Sequence, residues 1–225
     1  MRLKCLGSGS SGNCYILENE TEALVIEAGL PFKEVKRALG FNVRKIVGAL
    51  IGHSHKDHSK YILEYEQAGI RVFKPYELEF KVTKKFGNFT IRCFDLIHDV
   101  PCYGFYIEHP EIGKMIYASD TEYIKYRFKG LNHILVECNY DKNFIQADAV
   151  NRNHVLEGHM ELKTALDFIS TNDNPALRNV VLIHLSDKNA DSAQFLQKTK
   201  ETIKYGADCF IASKGLEINL NLLPF

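Results

Sequence analysis

The segment Gly52-His53-Ser54-His55-Lys56-Asp57-His58-Ser59 sets three histidines and a carboxylate within six positions, directly after the apolar run Ile46-Val47-Gly48-Ala49-Leu50-Ile51. A short apolar run bounded by polar sequence is the pattern of a buried strand, so the histidines occupy the loop at its end. Imidazole nitrogen and carboxylate oxygen are the donors that borderline divalent ions such as zinc prefer. Alternate residues of an extended loop point to one side, which lets His53 and His55 grip one ion. Asp57 and His58, one turn further on, are placed to face a second, as in two-metal hydrolases. The alternative is a histidine-rich surface loop without metal. Against it, three of the nine histidines fall in this stretch, and the rest of the chain supplies matching ligands.

Composition narrows the rest. The 225 residues are 45% hydrophobic, enough for a substantial core, and no linker, low-complexity tract or repeat divides them, so one domain over residues 1–225 is expected. Residues 1–6 run into Gly-Ser-rich sequence too soon for a signal-peptide core, and no apolar run is long enough to span a bilayer; a cytoplasmic protein with no membrane association is expected. The six cysteines are far apart and form no CxxC pair, which argues against a thiolate zinc site or a disulfide framework. The formal net charge is zero, so a nucleic-acid surface would have to be local.

The element pattern opens with strands and then alternates. Residues 2–6, 14–18 and 23–27 are strand-like runs joined as a meander, 31–39 a surface helix ended by Gly40, and 58–68 a helix ended by Gly69 before a strand at 70–73. Residues 88–96, 103–108 and 114–118 continue the sheet, 131–136 and 179–185 have the composition of buried strands, and 161–170 and 192–205 have helical spacing. The pattern suggests two sheets packed face to face with helices outside. Further ligands belong at strand ends, where loops hold side chains over a rigid rim. His98 follows 91–97, Asp120 follows 115–119, and His184 lies in the apolar run 180–186. Taken singly, each could be a strand-end residue satisfied by the backbone; with the histidine loop they form a donor set.

HxHxDH at 53–58, the later His98 in Ile97-His98-Asp99-Val100-Pro101-Cys102-Tyr103-Gly104-Phe105, then Ala118-Ser119-Asp120-Thr121 and His184, resemble the metallo-β-lactamase superfamily nearly end to end. Leu6-Gly7-Ser8-Gly9-Ser10-Ser11-Gly12-Asn13-Cys14 and Gly158-His159-Met160-Glu161 resemble its YycJ/WalJ-like branch, related to RNase Z and RNase J. The resemblance implies an αββα sandwich with a metal site at one edge of the two sheets, and phosphodiesterase chemistry. It implies that His53, His55 and His98 hold one divalent ion and Asp57, His58 and His184 another, with Asp120 bridging; zinc is the first choice and manganese the second. Two positions depart from the family pattern. Glu27 stands where Asp is usual, as support for the histidine loop, and Gly52 where Thr commonly precedes the first histidine.

Two ions bridged by Asp120 would turn a shared water into hydroxide at neutral pH and neutralise charge on a phosphoryl group. His159 is the candidate proton donor to the leaving oxygen, by its resemblance to the RNase branch; a residue leading into a helix at 161 is the other reading. Asp57 is a ligand with a proton-shuttling role. The loop at 7–13, ending at Asn13, could receive a substrate phosphate on its backbone N–H groups, although a tight turn shaping the site wall is the plainer reading. Tyr123-Ile124-Lys125-Tyr126-Arg127-Phe128-Lys129 interleaves aromatics with cations, so Lys125, Arg127 and Lys129 are candidate phosphate contacts beside stacking rings; an amphipathic surface helix would look similar. The reading is a dinuclear phosphodiesterase, foremost a nuclease of exonuclease kind, with nucleic acid or nucleotide as partner and a homodimer left open. A cyclic-nucleotide phosphodiesterase, a lactonase or thioesterase, and a metal-free binding module are the alternatives.

Overall fold

The apolar run ahead of the histidine loop is a buried strand, β4 (Ile46–Leu50), in the computed structural model, which describes residues 1–78, 82–145 and 158–223. It belongs to a six-stranded sheet with β1 (Arg2–Gly7), β2 (Cys14–Glu18), β3 (Ala23–Ile26), β5 (Val72–Phe73) and β13 (Glu217–Asn219), ordered β13-β1-β2-β3-β4-β5. The first three strands form the antiparallel meander that their short turns predict, whereas β4 joins β3 in parallel. A seven-stranded sheet contains β6 (Thr83–Phe86), β7 (Phe89–Leu96), β8 (Cys102–His109), β9 (Gly113–Ala118), β10 (His133–Glu137), β11 (Asn179–Ile183) and β12 (Asp208–Ile211), ordered β12-β11-β10-β9-β8-β7-β6. Its β9, β10, β11 and β12 run parallel.

The two sheets face each other. Leu3, Tyr15, Leu24 and Leu50 from one meet Phe105, Tyr117, Leu135 and Val181 from the other in a single buried cluster. α1 (Phe32–Ala38) and α3 (Ile62–Gln67) cover the outer face of the first sheet through Phe32, Val35 and Tyr65. α4 (Leu162–Asn172) and α5 (Ser192–Thr202) cover the second through Ala165, Phe168, Ile169 and Phe195. Burial on both faces explains why β10 and β11 are apolar almost throughout rather than alternating. This is the αββα sandwich expected from the sequence. Among the described residues no helix is long and apolar enough to cross a membrane.

Local readings needed correction in three places. The helix expected over 58–68 is two: α2 (Lys56–Ser59) and α3, separated because Tyr61 donates its backbone N–H to Ala28 instead of continuing the turn, at 3.0 Å. The strand expected to run to residue 185 stops at Ile183, where His184 takes a left-handed φ of 55°. Strands β6, β12 and β13 were not anticipated. β6, Thr83-Lys84-Lys85-Phe86, is a polar sheet edge with no alternation to reveal it.

β3 and β4 in one sheet, and β9, β10 and β11 in the other, all end at the same rim, and this sets the position of the site. Leu135 is fully buried within the intersheet cluster. Leu135→Ala should cost about 2–5 kcal/mol, seen as a lower denaturant midpoint with an unchanged slope.

Candidate metal centre

Asp120 follows β9 by two residues and is buried at the rim, and its two carboxylate oxygens face two different groups of donors. Oδ2 lies 3.6 Å from His53 Nε2 and 4.0 Å from His98 Nε2, and His98 Nε2 is 3.2 Å from His55 Nδ1. Oδ1 lies 3.2 Å from His58 Nε2 and 3.6 Å from His184 Nδ1, while Asp57 Oδ2 closes this second group at 3.3 Å from His58 and 3.4 Å from His184. Within each group the donor atoms all lie within 4.8 Å of one another. The seven residues selected from the sequence as ligands are thus brought together as two sets of four sharing Asp120.

The sets fit divalent cations. His53 Nε2 is buried and has no hydrogen-bond partner among the described residues. The rings of His53, His55 and His98 crowd one another with centroids 4.9–5.1 Å apart. Buried imidazole lone pairs aimed at one another go unsatisfied unless a cation lies among them. The backbone is bent to achieve this: Glu27, Asp120 and His184 take φ of 66°, 52° and 55°. Such left-handed conformations cost non-glycine residues roughly 1–3 kcal/mol each. They turn side chains at strand ends into the rim.

Burial would raise the Asp120 carboxyl, but His184 and His58 outweigh it and hold Asp120 well below the usual carboxylate range. Burial likewise opposes a charged His58, yet Asp120 and Glu27 lift it well above an ordinary imidazole. His184 rises against burial to about 10, through Asp120 and hydrogen bonds to Asp57 and Glu137. His53 goes the other way, lowered to about 2 by burial and by His58 beside it.

Supporting residues hold these donors in place. Glu27 accepts from the Gly52 N–H at 3.2 Å and lies 3.5 Å from His58 Nδ1. A Cβ at Gly52 would come within 3.0 Å of Glu27 Oε1 and 2.9 Å of the Tyr103 carbonyl oxygen. The two departures from the family pattern therefore meet in space, the longer carboxylate occupying room that a side chain at 52 would need. Gly29 is required for closeness: a Cβ there would fall 1.7 Å from the Asp57 carbonyl oxygen, which accepts from the Asn13 N–H at 2.7 Å.

His159 stands beside the second group, its ring stacked on His184 at 5.3 Å between centroids and its Nδ1 2.7 Å from Glu137 Oε1. Glu137 also meets His184 Nδ1 at 3.0 Å and accepts from the Thr121 and Met160 N–H groups. Sequence reading passed over Glu137, although an acid closing the apolar run 131–136 was a signal of the kind that selected Asp120. It also missed Asn139, which donates to the His184 carbonyl oxygen at 2.8 Å, and Asp99, whose Oδ1 is 3.1 Å from His98 Nε2 and 3.4 Å from His55 Nε2. Both act only through the tertiary fold.

Of the candidate substrate contacts, Asn13 lies at the site itself, its Nδ2 2.9 Å from His58 Nε2 and 3.2 Å from Asp57 Oδ2. Asn13 is buried, its amide bonded to Gly9 and set against Asp57 and His58, so it braces the metal loop from below. Lys125, Arg127 and Lys129 are exposed, with Lys125 3.9 Å from Asp95. Their segment is neither helix nor strand, and its burial alternates from residue to residue. Tyr126 and Phe128 are half-buried, packed on Phe94 at 5.8 and 5.0 Å; Tyr123 is the ring of this segment left at the surface.

No family model matches the chain. It is 25% identical to exodeoxyribonuclease WalJ of Streptococcus pneumoniae over 223 aligned positions, 82% of this chain and 81% of that protein. Its structure is similar to the metallo-β-lactamase fold protein YhfI of Bacillus subtilis, with TM-score 0.71 at 16% identity over 97% of this chain and 99% of that one. It is also similar to the short form of human tRNase Z, with TM-score 0.63 at 14% identity over 98% and 99%. The fold is that of the metallo-β-lactamase proteins, and the resemblance to the YycJ/WalJ-like branch is borne out.

Two outcomes follow from the geometry. In the ion-free protein, the raised His184 contributes stability that is full below its ordinary value of 6.5 and is lost as pH rises through about 10. A divalent ion needs the lone pairs of His58 and His184, so uptake near neutral pH should release about two protons per chain and tighten as pH rises. Titration calorimetry in buffers of different ionisation enthalpy reads this, and uptake without proton release contradicts it. Second, Gly52→Thr alone should destabilise by about 1–3 kcal/mol. Paired with Glu27→Asp it should cost less than the sum, with a coupling of about 0.5–3 kcal/mol in a denaturation double-mutant cycle.

Proposed function

We propose that this metallo-β-lactamase-fold chain works as one domain over residues 1–225 and is a metal-dependent phosphodiesterase of the nuclease kind, an exonuclease on DNA by its similarity to WalJ. The observation that carries this reading is Asp120 dividing its two oxygens between two donor sets. His53, His55 and His98 would hold one divalent ion and Asp57, His58 and His184 the other, zinc first and manganese second, with Asp120 common to both. Bound there, two such ions supply Lewis acidity to a phosphoryl oxygen and acidify water toward neutrality. The same proposal includes a cytoplasmic setting and nucleic acid as partner.

The chain's own residues supply the proton transfers. Asp57 Oδ2 lies between His58 and His184 on a partly exposed side chain, from which the attacking water's proton passes to solvent. Burial opposes a charged His159, but Glu137 at 2.7 Å raises it above an ordinary imidazole. With Nδ1 donating to Glu137, Nε2 presents its proton to the leaving oxygen.

A metal-replete panel of single- and double-stranded DNA, RNA, cyclic nucleotides and a nitrophenyl phosphodiester tests the reading. Cleavage of DNA from an end and of the small diester is expected; rapid cleavage of cyclic nucleotides with every polymer ignored would replace nuclease by cyclic-nucleotide phosphodiesterase. His159→Ala should keep its metal but lose roughly 10²- to 10⁴-fold in rate on DNA. The nitrophenyl diester, whose leaving group needs little protonation, should be largely spared. Equal losses on both substrates would assign His159 to positioning.

A further inference from the structure

The edge strands of the two sheets, β5 and β6, lie side by side and form a groove of about 300 Å³ on the flank of the sandwich. Arg71, Lys84 and Lys85 line it, all exposed and none with a carboxylate partner among the described residues. Lys74 also lines it but is paired with Glu66 and Glu77 at 3.4 and 3.0 Å. Arg71 stands 5.0 Å over the Phe86 ring and Lys84 5.9 Å over Phe73, and both rings are buried. The rings thus hold two of the cations in place and are themselves not available for base stacking.

The groove leads to the metal rim. Ile51 donates its N–H to the Phe73 carbonyl oxygen at 2.9 Å, so the upper end lies two residues before His53. Arg71 reaches the Val47 carbonyl oxygen at 3.3 Å and marks the lower end. Four strand residues separate those levels, about 13 Å at the usual rise per residue. Three cations along that path without a carboxylate partner among the described residues are a local excess in a chain whose formal net charge is zero.

From this placement we infer that the β5–β6 groove carries the phosphate backbone of one nucleic-acid strand whose end lies at the metal rim. The inference rests on the nuclease reading and names where its polymer runs. Cations set over buried rings, with no base-reading amide or exposed ring among the described lining residues, contact phosphate without regard to sequence. The groove is the better candidate than Lys125, Arg127 and Lys129, because Lys125 has Asp95 nearby and the rings between those cations face inward.

The test compares the metal-loaded wild type with Arg71→Glu/Lys84→Glu/Lys85→Glu, and with the triple glutamine variant should charge reversal impair folding. Fluorescence anisotropy of a labelled single-stranded DNA oligonucleotide over a salt series gives affinity and its salt slope, and nitrophenyl phosphodiester hydrolysis is measured in parallel. Losing three phosphate contacts should flatten the slope of log affinity against log salt by about 2. It should weaken binding at low salt by roughly tenfold or more while leaving small-diester hydrolysis unchanged. The same changes at Lys125, Arg127 and Lys129 should have the smaller effect. A triple variant with unaltered affinity and slope would overturn the inference and leave the lysines as guards of an open sheet edge. A wild type that hydrolyses the small diester yet binds no oligonucleotide would also overturn it. Failure of the wild type on the small diester would instead strike the phosphodiesterase reading, since oligonucleotide binding is measured independently.

Discussion

Everything at the rim depends on one buried carboxylate. Asp120 is held at φ 52° beyond the end of β9, charged despite burial, with one oxygen toward His53 and His98 and the other toward His58 and His184. A buried anion is tolerated only where opposite charge surrounds it. Here that charge comes from raised imidazoles in the ion-free protein, and would come from divalent ions in the loaded one. The same electrostatic demand therefore describes both states, and a metal would take the place of protons that Asp120 and its neighbours favour on His58 and His184.

The sandwich makes this arrangement affordable. Its sheets are packed through large apolar side chains on both faces, so strand ends cannot drift, and loops only a few residues long carry the ligands. Orientation is then set by partners behind the donors. Glu27 stands behind His58, Glu137 and Asn139 behind His184, and the Gly158 carbonyl oxygen 3.0 Å from His98 Nδ1. His98 and His184 are tethered through a ring nitrogen in this way, which fixes the ring plane, and such partners would sharpen a metal site.

Glu27 and Gly52 show how a departure from a family pattern can be neutral. Taken separately, each looks like damage: a carboxylate one methylene too long, and a lost hydroxyl. In the fold they are neighbours, and the Glu27 oxygen that touches the Gly52 N–H lies where a side chain at 52 would crowd it. The methylene added at 27 takes up part of the room left by the side chain missing at 52.

The candidate donor set and the sandwich were legible in the sequence because both rest on local signals. HxHxDH compresses four donors into one loop, and apolar runs ending in His98, Asp120 or His184 mark strand ends whose polar residues gain meaning only beside that loop. What could not be read was anything fixed by chain segments far apart in sequence. Glu137 becomes the partner of His159 and His184 only when parallel strands align their ends. Asn13 turns inward only because Gly29 lets the Asp57 backbone approach. Tyr126 and Phe128 pack on Phe94, since an irregular segment whose burial alternates looks the same in sequence as a helix with mixed faces. The cationic flank was equally invisible, because Arg71, Lys84 and Lys85 become neighbours only when the open edges of two separate sheets are packed together. Local pattern specifies which donors exist and which elements carry them; long-range packing decides which groups stand behind them and which surface remains for a partner.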